Sequence, residues 1–376
     1  MTSKERILRI FQNKEVDRPS LKLWGFSPRH RPLHPDYQPV HELAAQLTDV
    51  YSSWESPFNV FCGQYSDELI THRFEDTDDP TWKTEVISYK TPKGTLTERR
   101  HVSTVHEPRY TTEYPVKDSG DLEALLSMPY RPYPVQASSY QQKLDQMGEC
   151  GVPMIYFHSP GDALYESIGS ETIAYMAYDC RELLIEAARF YGRRVYDQVK
   201  ALLDAGVNGV FYSFGVETFI PPLMSPKDYD ELMSPVMKSI HDLIHDAGGY
   251  VWMHCHGKVM PFLDRFIEEG VDVLNPLEPA GKGGDVVLSD LVERYGNRIG
   301  LEGNIEIQDI LLTSPDELKS LLRECVEAGS RSGRFILSQS AGFNEYPFPT
   351  AHYIENLKIY LTEGYRLVNS YAKNYH

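Results

Sequence analysis

Short apolar runs rich in β-branched and aromatic residues recur along the chain, and most are followed by a segment of helical periodicity. The runs are Ser20–Phe26, Phe58–Cys62, Pro153–His158, Gly209–Phe214, Tyr250–His256, Val271–Pro276, Arg298–Gly303 and Arg334–Leu337. In Asp228–Ala247, Leu232, Val236, Ile240, Leu243 and Ile244 fall at three- and four-residue spacing after Ser225-Pro226, a cap followed by a first-turn proline. Val259–Glu269 and Pro315–Ala328 predict further helices, the second capped by Ser314 with Glu317 three residues on. Strand and helix alternating in this way predict an α/β protein, a (β/α)8 TIM barrel. Residues 64–150 break the alternation. Thr84–Tyr89, Thr95–Arg100 and His101–Val105, with Pro92-Lys93-Gly94 between the first two, predict a β-hairpin inserted between the second and third barrel strands. The Pro- and Tyr-rich Pro129–Tyr140 reads as the loop back.

The length of 376 residues permits two domains, but the single barrel pattern assigns 1–376 to one domain with 64–150 inserted in it. Apolar residues make up 41% of the chain, enough for a large core. With 37 Lys+Arg against 54 Asp+Glu the formal charge is −17, and no basic stripe is present to bind nucleic acid or an anionic membrane. The longest apolar runs, such as Val207–Phe214, fall well short of the ~20 residues of a membrane span. The N-terminus, Met1-Thr2-Ser3-Lys4-Glu5-Arg6, is charged where a signal peptide is apolar. The five cysteines are scattered and include no Cys-x-x-Cys pair, which fits a reducing, cytoplasmic setting.

A barrel of this kind does its chemistry at the C-terminal ends of its strands. The fifth predicted strand ends in His254-Cys255-His256-Gly257, and alternation puts both imidazoles on one face and Cys255 on the other, towards the helices. Two imidazoles at a strand end are half of a metal site, and Glu278 stands at the end of the next strand. A His254/His256/Glu278 set with an open position suits a catalytic zinc acting as Lewis acid. The competing reading is a pair of hydrogen-bonded structural histidines. Glu217, Glu302, Glu306, Asn304 and His158 fall at other strand ends, and Trp24, Arg29 and Arg31 lie at or after the first. Glu217, Glu302 and His158 are the acid–base candidates among them, and Trp24, Arg29, Arg31 and Asn304 are candidates for substrate binding. Gly-x-Ser-x-Gly, Walker and Rossmann glycine motifs are absent from the sequence.

From Phe214 onward the chain resembles the uroporphyrinogen decarboxylase-like superfamily, which includes the decarboxylase and zinc-dependent, corrinoid-linked methyltransferases. The resemblance rests on Leu223-Met224-Ser225-Pro226 through Ser234-Pro235, on His254-Cys255-His256-Gly257, on Glu269-Gly270-Val271-Asp272 through Asn275-Pro276, and on Glu302-Gly303-Asn304-Ile305-Glu306. Lys4–Leu8 through Asp17-Arg18-Pro19 is similar to the family's opening. The decarboxylase pattern would place substrate arginines at Arg29 and Arg31, an aspartate at Asp67 and a tyrosine at Tyr165, but its late histidine falls where Ala341 stands. Its arginine cluster for an octacarboxylate is also missing, and a chain of charge −17 suits such a substrate poorly.

The methyltransferase pattern expects His-x-Cys-Gly and a late Cys, and both thiolates are replaced here, by His256 and Ala341. A related methyltransferase pattern adds a Glu one strand-helix unit later, and Glu278 lies 22 residues beyond His256. The resemblance therefore implies a zinc held by His254, His256 and Glu278, harder and more electrophilic than a thiolate site, with an ether, phenol or carboxylate oxygen of the donor as its ligand. It implies transfer of a methyl group from a small donor, a methoxylated aromatic for example, to a corrinoid. The Asp-x-His-x-x-Gly corrinoid signature is absent from the chain, so the corrinoid would arrive on a separate protein. A homodimer is the family default. The alternatives are a metal-free lyase of the decarboxylase type and a non-catalytic binding barrel.

Overall fold

The computed structural model describes residues 1–28, 32, 34–105, 109–342 and 349–372. Its strands are β1 (Ser20–Leu21), β2 (Val50–Trp54), β3 (Ile70–Asp76), β4 (Trp82–Thr91), β5 (Gly94–Ser103), β6 (Arg109–Glu113), β7 (Gly151–His158), β8 (Val210–Phe214), β9 (Tyr250–His254), β10 (Val273–Asn275), β11 (Gly300–Ile305) and β12 (Phe335–Gln339). Eight of them form one parallel sheet in the order β2-β7-β8-β9-β10-β11-β12-β1. At the seam between β1 and β2 the Asp49 N–H donates to the Leu21 carbonyl (2.9 Å). The sheet thus curls back on itself as an α/β barrel, and β3-β4-β5-β6 form a separate antiparallel sheet between β2 and β7.

Alternation along the strands builds two cores. Val251, Met253 and Cys255 of β9 and its extension join Phe211, Leu274, Leu301 and Leu337 in the layer packed against the helices. Trp252 points inward with Tyr51, Met154, Val210, Tyr212, Val273 and Ile336, where the helix Ser3–Phe11 plugs the barrel with Ile7, Ile10 and Phe11. The plug closes the N-terminal end, so the C-terminal ends of the strands are the accessible ones.

Two sequence expectations are corrected and one is extended. The second barrel strand is Val50–Trp54, not Phe58–Cys62. Asn59 Oδ1 accepts from the amides of Phe61 and Cys62 (both 3.0 Å), and this local turn replaces strand pairing. The insertion contains the expected hairpin, β4–β5 about Pro92-Lys93-Gly94, within a four-stranded sheet, with His101–Ser103 continuing β5. The helix expected over Asp228–Ala247 is two, Pro226–Leu232 and Ser234–Asp246. Pro235 has no N–H to continue the first. The Ser225 capping box and the Ser314 cap are present.

Candidate functional site

The floor of the barrel mouth is a buried charged chain. Lys22, which follows β1, has its ammonium 2.7 Å from Glu302 Oε1 in β11, and both side chains are fully enclosed. Nζ lies 3.2 Å from the Trp24 ring centroid and 4.0 Å from that of Trp252. Aromatic faces offset part of the lost hydration. Burial pulls Lys22 down to about 8, against the raising effect of Glu302. Asn275 Nδ2 also donates to Glu302 Oε1 (3.1 Å), while Glu302 Oε2 has no hydrogen-bond partner among the described residues.

Above this floor stand the two histidines. Register pairs His254 with Asn275, and His254 Nδ1 lies 3.2 Å from Asn275 Oδ1. The His254 and His256 rings meet edge to face, 4.5 Å apart at 87°. His256 Nδ1 donates to Glu278 Oε1 (2.7 Å), and the Gly257 amide donates to Glu278 Oε2 (2.6 Å). Gly257 has φ +88°, a conformation costly to other residues, which turns that amide to the carboxylate. Neither Nε2 has a hydrogen-bond partner among the described residues.

The two imidazoles have opposite electrostatics. Burial, then the neighbouring His256, pushes His254 down to about 3. Burial also works against the His256 imidazolium, but Glu278, Glu217 and Glu306 outweigh it and hold this ring above the ordinary histidine value. Glu278 lies below the usual carboxylate range, because the bonds from His256 and Gly257 outweigh its burial. Burial raises Glu217 and Glu306, whose Oε2 and Oε1 respectively are buried without hydrogen-bond partners among the described residues. Ser340 donates to the other oxygen of Glu306 (2.8 Å).

His158 ends β7 between the rings of Phe58 and Phe214, bonded through Nδ1 to Asp162 (2.5 Å). Burial lowers its affinity for a proton, and Asp162 more than restores it.

His254, His256 and Glu278 come together, with Glu217 and Glu306 within electrostatic reach. Glu278, however, is engaged by His256 and the Gly257 amide. Among the described residues no three His, Cys, Asp or Glu side chains are disposed to hold a metal ion. Trp24 is half-buried, edge-on to His254 at 6.1 Å. Glu302 lies beneath the mouth as the partner of Lys22. Asn304 donates to the Leu277 carbonyl (2.6 Å). Tyr165 belongs to a neighbouring cavity of about 300 Å³ with Tyr114, Arg100 and Arg109. Arg29 and Arg31 lie outside the described residues. Lys22 and Asn275 went unassigned as site residues from sequence. The available signal was a lysine between Leu21 and Leu23 in an otherwise buried strand.

The curled eight-stranded parallel sheet is that of a TIM-like α/β fold, with a cluster of titratable side chains at its C-terminal strand ends. The model of the uroporphyrinogen decarboxylase (URO-D) family matches residues 137–362, more than half of the chain, and the chain belongs to that family. Among solved structures it is similar to a methyltransferase from Methanosarcina mazei, at 14% identity over 97% of this chain and 99% of that one, with a TM-score of 0.58. At that identity the likeness is one of fold. A mannanase from Bacillus subtilis is similar at 10% identity over 92% of each chain with a TM-score of 0.39, which says nothing about chemistry. No curated protein matches the chain. Among the described residues no helix is long and apolar enough to cross a membrane.

Proposed function

We propose that the protein is a methyltransferase that takes a methyl group from a small donor and passes it to a corrinoid carried by a separate protein. The observation that carries this reading is the imidazole pair: His254 and His256 side by side at the mouth, each engaged through Nδ1 and, among the described residues, without a hydrogen-bond partner at Nε2. An imidazole bonded through one nitrogen to a carboxylate or amide oxygen is how metal-ligating histidines are held. The residues fit a zinc ion to the extent of two nitrogens, His254 Nε2 and His256 Nε2. Glu278 is the group that orients His256 rather than a ligand. A bound zinc would supply Lewis acidity towards a donor oxygen.

The remaining steps fall to the chain's own residues. Trp24, Tyr156 and Phe214, half-buried around the mouth, form a wall suited to a methoxylated aromatic ring. Glu217 holds a proton to higher pH than an exposed carboxyl and is the group to protonate the departing oxygen. The family and the fold shared with a protein named as a methyltransferase support the reading.

Zinc analysis of untagged protein tests it, with about one zinc per chain expected and loss on His254→Ala or His256→Ala. The methyl step is followed by the spectrum of reduced cobalamin on addition of methoxylated aromatics. Substoichiometric zinc that is the same in wild type and His256→Ala removes the metal. A metal-free lyase is the second reading, favoured by the His256–Glu278 pair as a ready proton donor and by the missing third ligand. Carbon dioxide release from a porphyrinogen, unaffected by chelators, selects it.

A further inference from the structure

The chain of contacts beneath His254 runs through groups whose hydrogen-bonding roles are not interchangeable. Lys22 Nζ is a donor only, and it lies 2.7 Å from Glu302 Oε1 inside the barrel, with both side chains at 2% exposure or less. An ionised carboxylate only accepts. Glu302 Oε1 thus accepts from the Lys22 ammonium, which has aromatic rings on its other sides. The next group in the chain, Asn275, is fully buried and 3.1 Å from the same oxygen.

An amide side chain can face a carboxylate in only one way. Its NH2 donates to Glu302, because the reversed amide would set two acceptor oxygens against each other. Oδ1 is therefore the atom left facing His254 Nδ1, at 3.2 Å. That oxygen can only accept, so the proton on this ring belongs on Nδ1.

We infer that Lys22, Glu302 and Asn275 are positioning residues that hold His254 as the Nδ1–H tautomer, so that its Nε2 presents an unprotonated lone pair to the barrel mouth. The polarity runs from the Lys22 donor to a lone pair on His254 Nε2 through β1, β11, β10 and β9. This also explains why a lysine and a glutamate are kept where no water reaches them. A buried pair of this kind adds little net stability compared with apolar residues of the same size, but it sets the direction of every donor above it. The inference deepens the proposed reading, in which Nε2 of His254 is a ligand atom. It is read from protein groups alone.

The test is made on full-length, metal-free protein labelled with 15N-histidine, using two-bond proton–nitrogen correlations and assigning His254 by its loss in His254→Gln. The expected spectrum has a protonated, pyrrole-type Nδ1 and a bare, pyridine-type Nε2 for this ring. Asn275→Leu removes the acceptor and should shift the Nδ1–H to Nε2–H ratio by about five- to tenfold, the worth of one hydrogen bond. Glu302→Gln removes the carboxylate that fixes the Asn275 amide and should shift the same ratio in the same direction. An Nε2–H tautomer in the wild type, or a wild-type ratio persisting in a folded Asn275→Leu, overturns the inference. If Asn275→Leu does not fold, the wild-type and Glu302→Gln spectra decide it, and a wild-type ratio in Glu302→Gln overturns the inference. Failure to bind zinc or transfer methyl leaves these spectra unchanged, so the two readings fail separately.

Discussion

Burial sets the proton affinities of single residues well away from the mouth. Glu269 is 2% exposed, and burial raises its carboxyl to about 7, although the Tyr229 hydroxyl donates to Oε2 (2.7 Å). The folded chain therefore holds this proton more tightly than the unfolded chain. Stability from Glu269 is fully present below about pH 4.5 and is lost as pH rises through about 7. In urea titrations across pH, Glu269→Gln should flatten this fall and exceed wild type at pH 8 by on the order of 2–3 kcal/mol. Parallel curves for the two proteins would refute the assignment. The neighbouring His241 has the opposite sign. Burial pushes it down to about 4, so its contribution is present above about pH 6.5 and fades as pH falls towards 4. At this scale the strand-end histidines and Glu278 were legible in the sequence, because alternation along a strand is local. The engagement of Glu278 by His256 was not, because one carboxylate can ligate, accept or orient, and only the neighbours decide which.

At the scale of elements, the helix Arg181–Asp204 packs against Ser234–Asp246 through Gly192. Alanine in mid-helix ordinarily gains about 0.5–1 kcal/mol over glycine. Here a Cβ at position 192 would fall 2.1 Å from Val236 Cγ1. Gly192→Ala should therefore destabilise the protein by about 1–3 kcal/mol. Val236→Ala in the same chain should recover most of that loss. Thermal denaturation of the two single variants and the double variant checks this, and additive losses would show that the two helices do not meet at this point. The misread elements share one cause. Val50–Trp54 has two central serines and no apolar run, yet Ser52 is buried, where its hydroxyl accepts from Lys143 (2.6 Å). Phe58–Cys62 has the apolar run but follows the Asn59 turn. Periodicity reports burial of side chains and is blind to hydrogen bonds supplied from distant segments.

Across the whole molecule, closure of the barrel depends on Asp49. Its backbone N–H bridges β2 to Leu21, and its buried carboxylate accepts from Arg6 Nη1 (2.7 Å) and Ser20 Oγ (2.8 Å). Arg6 also holds Asp17 (2.7 Å), so the N-terminal plug, the seam and the first strand share one network. Asp49→Ala leaves the Arg6 guanidinium buried without this partner. The expected cost is about 3–5 kcal/mol in urea denaturation. A loss below ~1 kcal/mol would show that the seam does not depend on this group.

The sequence by itself determined the class of this protein: a parallel α/β barrel of the URO-D family, acidic, with a pair of inward imidazoles at one strand end. Those features follow from periodicities of two and 3.6 residues and from short motifs, which neighbouring residues carry together. Only the tertiary structure decided which groups meet. Lys22 and Glu302 are 280 residues apart in the chain, and Asn275 turns its amide to suit them. The role of each polar group at the mouth is set by partners from other strands, because a buried donor or acceptor must be satisfied by whatever the fold brings to it.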